Sequence, residues 1–145
     1  MRTTLNRLLL VDDDDATIFL NTYMVEMTGL VSNIDSASSG QKALDYLAAQ
    51  ESAGATGPDL IFLDLNMPRV DGWEFMEEYC SFSDAFKAGR VIIILSASPN
   101  PDDRLRAAKT PYVNEFMNKP LTVENIQIVI KKYFGIEQRS ELISK

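Results

Sequence analysis

The chain has 145 residues, 46% of them hydrophobic and 24% charged, which is enough for one domain with a buried core and is typical of a globular protein. Its formal net charge of −7 argues against nucleic acid as a direct partner, because such binding depends on Lys and Arg side chains that neutralise phosphates. The chain contains no histidine, which excludes a Ser/His/Asp triad, an imidazole metal ligand and a phosphohistidine of its own.

The first part of the chain alternates short apolar runs with helical patterns, as βα units of a parallel sheet do. We expect a first strand at about residues 7–11, a first helix over residues 14–28 that Gly29 ends, a second strand at 31–37 and a helix that starts near Ser39. The spacing predicts an apolar face on the first helix, formed by Ile18, Leu20, Tyr23, Met24 and Met27.

The same alternation continues to the end of the chain. Strands are expected at residues 60–63, at 91–95 and at 112–117, and the second of these reads as a strand buried on both faces. Helices are expected over residues 100–109 and from Thr122 to Gly135. A third helix, between the third and fourth strands, is marked by Trp73, Phe75, Met76 and Tyr79.

This pattern predicts one α/β domain of five βα units over residues 1–135. Residues 136–145 then form a short C-terminal extension, either a frayed end or a segment that binds a partner, with no effector domain. No apolar run approaches the roughly 20 residues of a membrane span, and the first residues lack a signal peptide. With Cys80 as its single cysteine, the chain is expected to be cytoplasmic and not to bind membranes.

Three of the predicted strands end in charged residues. Asp12 and Asp13 follow the first strand, Asp64 follows the third, and Lys119 follows the fifth. The carboxyl ends of parallel strands meet at one edge of the sheet, where open α/β sheets bind ligands. Carboxylates that face one ammonium suit a divalent cation and a phosphoryl group.

Each residue also has a simpler interpretation. The aspartates at positions 12–15 could be an acidic turn that caps a helix, which explains Asp14 and Asp15 well but the two that directly follow a buried strand poorly. Asp64 could cap the following loop, and Lys119 could be an ordinary surface lysine. Ser96, after the fourth strand, is by itself more typical of a turn than of a chemical group.

Taken in order, these segments resemble the receiver domain of two-component response regulators, and especially its single-domain, CheY-like members. The resemblance covers about residues 5–134. The segments that carry it are Leu9-Leu10-Val11-Asp12-Asp13, Pro58-Asp59-Leu60-Ile61-Phe62-Leu63-Asp64-Leu65-Asn66-Met67-Pro68 through Asp71-Gly72, Ile94-Leu95-Ser96-Ala97, and Phe116-Met117-Asn118-Lys119-Pro120.

The resemblance implies a flavodoxin-like (βα)5 fold, with a doubly wound, five-stranded parallel sheet in the order 2-1-3-4-5. It makes Asp64 the phosphoacceptor and a metal ligand. Asp12 and Asp13 would hold Mg²⁺ together with the backbone carbonyl of Asn66, and Mn²⁺ could substitute. Lys119 would pair with the phosphoryl group.

The resemblance also implies a switch. Ser96 would donate a hydrogen bond to the phosphoryl group, Phe116 would reorient with it, and a cis Lys119-Pro120 bond would help to aim the lysine. Phe116 stands where the family often has tyrosine, so it offers no hydroxyl to a partner. Asn66 and Ser98 occupy variable positions that influence dephosphorylation.

The function implied is that of a response regulator and not of an enzyme, apart from its own phosphorylation and dephosphorylation. The donor would be a histidine kinase or a histidine phosphotransfer protein, and the target an unknown protein that binds the face of the fourth helix, fifth strand and last helix. The chain would be a monomer or a phosphorylation-linked homodimer. Three alternatives stay open: a phosphorelay intermediate, a binding module without phosphorylation, and an aspartyl-phosphate phosphatase, although such enzymes usually carry an acid where this chain has Asn66.

Overall fold

The computed structural model describes residues 2–98 and 100–138 and shows the α/β fold predicted from the sequence. Five parallel strands form one sheet in the order β2-β1-β3-β4-β5, and six helices connect and flank them. The elements are β1 (Leu5–Val11), α1 (Asp15–Thr28), β2 (Val31–Ala37), α2 (Gly40–Ser52), β3 (Leu60–Asp64), α3 (Gly72–Tyr79), α4 (Asp84–Lys87), β4 (Val91–Ser96), α5 (Pro101–Lys109), β5 (Glu115–Asn118) and α6 (Val123–Phe134).

The core lies in two layers, one on each face of the sheet. Alternate residues of β1 divide between them, so that Leu9 packs with side chains of α2 and α3, while Leu8 packs with side chains of α1 and α6. The two central strands, β3 and β4, are buried along their whole length, as expected for strands covered on both faces. Among the described residues, no helix has the length and hydrophobicity of a membrane span.

The predicted helix ends are confirmed by their caps. The carboxylate of Asp14 accepts from the backbone N–H of Thr17 at the start of α1, and Gly29 ends that helix with φ of 66°. Asn100 caps α5 ahead of a proline in its first turn, and Thr122 caps α6. These caps set where the loops at the carboxyl edge of the sheet end.

The predicted apolar face of α1 is wrong for three of its members. Leu20, Tyr23 and Met27 are 52–56% exposed, and Phe19 is 73% exposed. The helix instead buries Asn21, Val25 and Thr28, one stripe at helical spacing. The Thr28 hydroxyl donates to the carbonyl of Val25, which satisfies it inside the core. Because Asn21 and Thr28 of the buried stripe are polar, the hydrophobic pattern predicts the wrong face of the helix.

Two further elements differ from the prediction. The sequence pattern does not predict α4, a single turn that Ser83 caps. The sequence pattern predicts the fifth strand at 112–117, but the strand starts at Glu115, because Tyr112 adopts a left-handed backbone (φ 70°) that cannot continue a strand. Asn114 precedes the strand and accepts from the Ile92 N–H with its side chain.

The segment after α6 continues along the domain as far as it is described. Ile136 is buried against the α1/α6 layer, and the Gln138 amide donates to the carbonyl of Thr28. The rest of the predicted extension, residues 139–145, lies outside the described residues.

Candidate functional site

The three charged strand ends meet at the carboxyl edge of the sheet. β1 and β3 are neighbours with Val11 opposite Leu63, so the aspartates that follow Val11 and Leu63 stand side by side. Carboxylate oxygens of Asp12, Asp13 and Asp64 all lie within 4.8 Å of one another. Asp12 and Asp64 are buried, whereas Asp13 is exposed at the mouth of the site.

Lys119 completes the cluster from the far end of β5. Its ammonium donates to Asp12 Oδ2 at 2.9 Å and lies 3.1 Å from Asp64 Oδ1. Burial lowers the pKa of this lysine, but its bonds to the two carboxylates outweigh burial and raise the pKa above the ordinary value. Lys119 is therefore protonated at neutral pH.

Burial has the opposite effect on the carboxyl group of Asp64. It raises the Asp64 pKa, the nearby charge of Asp12 raises it further, and the hydrogen bond from Lys119 offsets only part of this. Asp64 is the end residue of a fully buried strand, so its carboxylate is held in place while one side faces the cluster. A buried, oriented carboxylate of this kind can serve as a nucleophile or a metal ligand.

The cluster has the composition of a site for a hard divalent cation. Three carboxylate charges against one ammonium leave two negative charges uncompensated. Oxygen ligands of this kind suit Mg²⁺. Asn66, whose carbonyl the resemblance adds as a ligand, follows Asp64 in the loop after β3, and its N–H donates to Asp64 Oδ1 at 3.4 Å. Asp14 is instead occupied with capping α1.

Ser96 ends β4 beside this cluster and is fully buried. Its hydroxyl oxygen accepts from the Ser98 N–H at 3.0 Å, and its carbonyl accepts from the Lys119 N–H at 2.9 Å. The end of β4 is thus bonded to the residue that carries the ammonium. Because a hydroxyl can accept and donate at once, the Ser96 proton remains able to bond a further acceptor.

Phe116 lies deeper on β5, opposite Ile94, and its ring is buried in the α2/α3 layer of the core. The guanidinium of Arg104 covers this ring at 5.0 Å, and Arg104 also donates to Asn118. The sequence motifs assign no role to Arg104 or Asn118. No spacing signal relates a residue of α5 to the two residues of β5 that it contacts.

A groove of about 380 Å³ adjoins Lys119. It runs between α1 and the segment that follows β5, where the Lys119-Pro120 peptide bond is cis, as the resemblance implies. Its lining combines apolar side chains with the buried side chain of Asn21, and consists of Thr17, Leu20, Asn21, Met24, Lys119, Pro120 and Leu121. Some of the apolar surface that α1 leaves exposed therefore borders the site.

The chain is similar in sequence to curated regulatory proteins. "Probable methanogenesis regulatory protein FilR2" of Methanothrix harundinacea is 32% identical over 86% of this chain and 79% of its own length. "Alkaline phosphatase synthesis transcriptional regulatory protein PhoP" of Bacillus subtilis is 27% identical over 94% of this chain. The chain spans half of PhoP and half or less of several other curated relatives.

Solved structures agree with the observed fold. A two-component response regulator from Cytophaga hutchinsonii superimposes with a TM-score of 0.83 at 32% identity, covering 91% of this chain and 98% of its own. The profile of the family described as "Response regulator receiver domain" matches residues 8–131, which includes every residue of the cluster. The chain therefore belongs to the response regulator receiver domain family.

Proposed function

We propose that the chain acts as a response regulator in which Asp64 accepts a phosphoryl group and thereby changes a protein-binding surface. The observation that carries this proposal is the buried Asp64 carboxylate, which faces Lys119 at 3.1 Å and two further aspartates at the open edge of the sheet. Phosphoryl transfer requires little beyond alignment and charge neutralisation, and this cluster offers both. Residues 1–135 are taken as the receiver domain and 136–145 as a short extension.

The charges of the site explain why a metal is needed. The two uncompensated negative charges of the cluster would repel an incoming phosphoryl group. Asp12, Asp13, Asp64 and the carbonyl of Asn66 would hold Mg²⁺, which when bound neutralises charge on the transferring phosphoryl oxygens. Lys119, which is protonated, would donate to the phosphoryl oxygens as well.

The donor must be another molecule, because the chain contains no histidine. A carboxylate oxygen of Asp64 attacks the phosphorus of a phosphohistidine in a kinase or phosphotransfer protein. The phosphorus–nitrogen bond breaks, and the donor's imidazole keeps the electron pair and takes up a proton. We place the donor over the mouth of the site, in contact with the apolar groove between α1 and Pro120.

The lone Cys80 supports a cytoplasmic location.

Phosphorylation adds about one negative charge to Asp64, and the surroundings must compensate for it. The Ser96 hydroxyl would donate to a phosphoryl oxygen, and the buried ring of Phe116 would hold the inward arrangement. The affected surface is formed by α5, which is the fourth helix of the sequence prediction, together with β5 and α6. A groove of about 220 Å³ lies there between α5 and Phe116. We take this surface as the site for the target or for a second copy of the chain.

Incubation with Mg²⁺ and acetyl phosphate tests the proposal. The expected result is an intact mass increased by one phosphoryl group, which requires Mg²⁺ and disappears when EDTA is added beforehand. Mass spectrometry after borohydride reduction should locate the acyl phosphate at Asp64. An unchanged mass at saturating acetyl phosphate, or a phosphoryl group on a serine, would refute the proposal.

Magnesium is expected to stabilise the fold, because it binds the cluster only when β1 and β3 are assembled. A Mg²⁺ concentration about 100 times the Kd for Mg²⁺ should raise the free energy of unfolding by about 2.7 kcal/mol. Asp13→Asn should weaken Mg²⁺ binding about tenfold or more, while leaving metal-free stability within about 0.5 kcal/mol, because Asp13 is exposed. Urea unfolding with and without Mg²⁺ measures both effects.

The matched control for this prediction is Asp15→Asn, which removes an exposed carboxylate from the first turn of α1. It should bind Mg²⁺ as the natural chain does. Equal loss of Mg²⁺ stabilisation in the two variants would mean that general surface charge, and not the cluster, attracts the cation.

Ser98 is expected to lengthen the life of the phosphorylated state. It is small and uncharged, and its hydroxyl accepts from the Asn100 N–H, so it offers no carboxylate to orient or activate a hydrolytic water. Ser98→Glu should therefore shorten the phosphoryl lifetime several-fold, measured by decay of the added mass after acetyl phosphate is removed. Ser98→Gln, similar in size but uncharged, serves as the control, and an unchanged lifetime in Ser98→Glu would contradict the expectation.

A further inference from the structure

The helix α5 is held by polar contacts more than by its apolar side chains. Of its nine residues, all of which the structure describes, only Ala107 is buried, and Leu105 is 60% exposed. Two arginines on the helix each lie over an aromatic ring of a neighbouring element, Arg104 over Phe116 of β5 and Arg106 over Trp73 of α3. The position of α5 therefore depends on what these arginines contact.

Arg104 makes three contacts with β5. Its guanidinium lies 5.0 Å from the centre of the Phe116 ring, Nη1 donates to the Phe116 carbonyl at 3.2 Å, and Nη2 donates to Asn118 Oδ1 at 2.9 Å. A planar guanidinium can contact a ring and donate hydrogen bonds at the same time, because its N–H donors are fixed relative to its face. The Arg104 side chain thus covers the ring of Phe116, the proposed switch residue, and also donates hydrogen bonds to β5.

Asn118 extends this contact to the loop after β4. While its Oδ1 accepts from Arg104, its Nδ2 donates to the Ser98 carbonyl at 3.3 Å. The Ser98 N–H in turn donates to Ser96 Oγ at 3.0 Å. A continuous path of hydrogen bonds therefore leads from Arg104 of α5 through Asn118 of β5 to the buried hydroxyl of Ser96.

We propose that Arg104 and Asn118 are positioning residues that couple the Ser96 hydroxyl to the place of α5, an inference that rests on the proposed function. By holding the Ser98 carbonyl, Asn118 orders residues 96–98 with the Ser96 oxygen already accepting from Ser98 N–H. The Ser96 proton then remains for a phosphoryl oxygen, and little ordering of the loop is left to occur on phosphorylation.

The coupling must act in both directions. If the Arg104 contacts favour capture of a phosphoryl group, then capture strengthens those contacts by the same factor. A phosphoryl group at Asp64 would thereby fix α5 against Phe116 and stiffen the groove between them. The position of α5 would then respond to phosphorylation of Asp64, and this coupling needs no side chain of α5 that reaches Asp64.

Beryllofluoride affinity in the presence of Mg²⁺ tests the proposal, with calorimetry well below the melting temperature as the measurement. Arg104→Ala and Asn118→Ala should each weaken binding about threefold to tenfold, a typical allosteric coupling. The double variant should be no weaker than the single ones, because both residues act in one path. Arg104→Lys, which keeps the charge but loses the fork, should recover only part of the affinity.

Arg106→Ala is the matched control, since it removes an arginine–aromatic contact from the same helix without touching β5. It should bind beryllofluoride as the natural chain does, even if it unfolds at a lower urea concentration. Equal weakening in Arg106→Ala and Arg104→Ala, or strictly additive effects in the double variant, would overturn the coupling. A natural chain that binds no beryllofluoride would instead overturn the proposed function itself.

Discussion

Asp64→Asn is expected to abolish phosphorylation by acetyl phosphate while making the fold more stable at neutral pH. The amide cannot act as the attacking oxygen, so the intact mass should stay unchanged at times when the natural chain is fully labelled. The asparagine side chain has nearly the same shape, and its oxygen can still accept from Lys119, which lies 3.1 Å from the carboxylate it replaces. Lost labelling would therefore not reflect a lost fold.

The stability change follows from the Asp64 pKa, which burial raises. A carboxyl group whose pKa is higher in the folded state favours folding while it is protonated, and loses this contribution as the pH rises through the folded pKa. At neutral pH the ionised Asp64 therefore costs stability, and the asparagine does not. Urea unfolding in EDTA should show the advantage of Asp64→Asn at pH 7 and a smaller difference at acidic pH, where the natural carboxyl group is protonated.

Asp15→Asn is the control for both measurements, because it removes a neighbouring carboxylate that belongs to the first turn of α1 and not to the cluster. It should be labelled at the natural rate. Labelling of Asp64→Asn at a comparable rate would mean that another residue, with Asp13 the nearest exposed candidate, accepts the phosphoryl group.

The site was predictable because its residues stand at strand ends. Short apolar runs reveal where buried strands stop, and parallel strands bring their carboxyl ends to one edge, so Asp12, Asp64 and Lys119 could be brought together without knowledge of the helices. The motifs then limited the fold to a receiver domain, and the observed strand order is the predicted one. Local cap signals, such as Asn100 before Pro101, were sufficient for helix starts.

What the sequence did not reveal depends on tertiary contact. The buried face of α1 includes Asn21, whose polarity hides it from a hydrophobic pattern. Tyr112 looks like part of a strand, but its left-handed backbone delays β5 to Glu115. Arg104 meets Phe116 only because α5 packs beside β5, and twelve residues of sequence separation carry no periodic signal for that meeting.

Lys119→Met is expected to change phosphorylation and metal binding in opposite directions. The ammonium bonds Asp12 at 2.9 Å and Asp64 at 3.1 Å, so it occupies oxygens that a cation would share. Its removal adds one uncompensated negative charge, which should strengthen Mg²⁺ binding. The same removal deprives the transferring phosphoryl group of a fixed positive charge, which should slow labelling by acetyl phosphate on the order of 10²-fold. Lys42→Met, an exposed lysine that bonds Ser38 instead, should change neither quantity.

The pH dependence of stability separates this role from simple packing. Burial lowers the Lys119 pKa but its two carboxylate partners raise it above the ordinary value, so, once those carboxylates are ionised, the lysine contributes its full stabilisation up to pH 10.5, the ordinary pKa of lysine. That contribution is lost as the pH rises through the higher folded pKa, and Lys119→Met has none to lose. In metal-free urea unfolding, the natural chain should therefore keep its advantage over the variant from neutral pH upward and lose it at strongly alkaline pH. An advantage that stayed constant with pH would mean that the lysine stem packs but its charge does not act, and slower labelling together with weaker Mg²⁺ binding would point to a collapsed site.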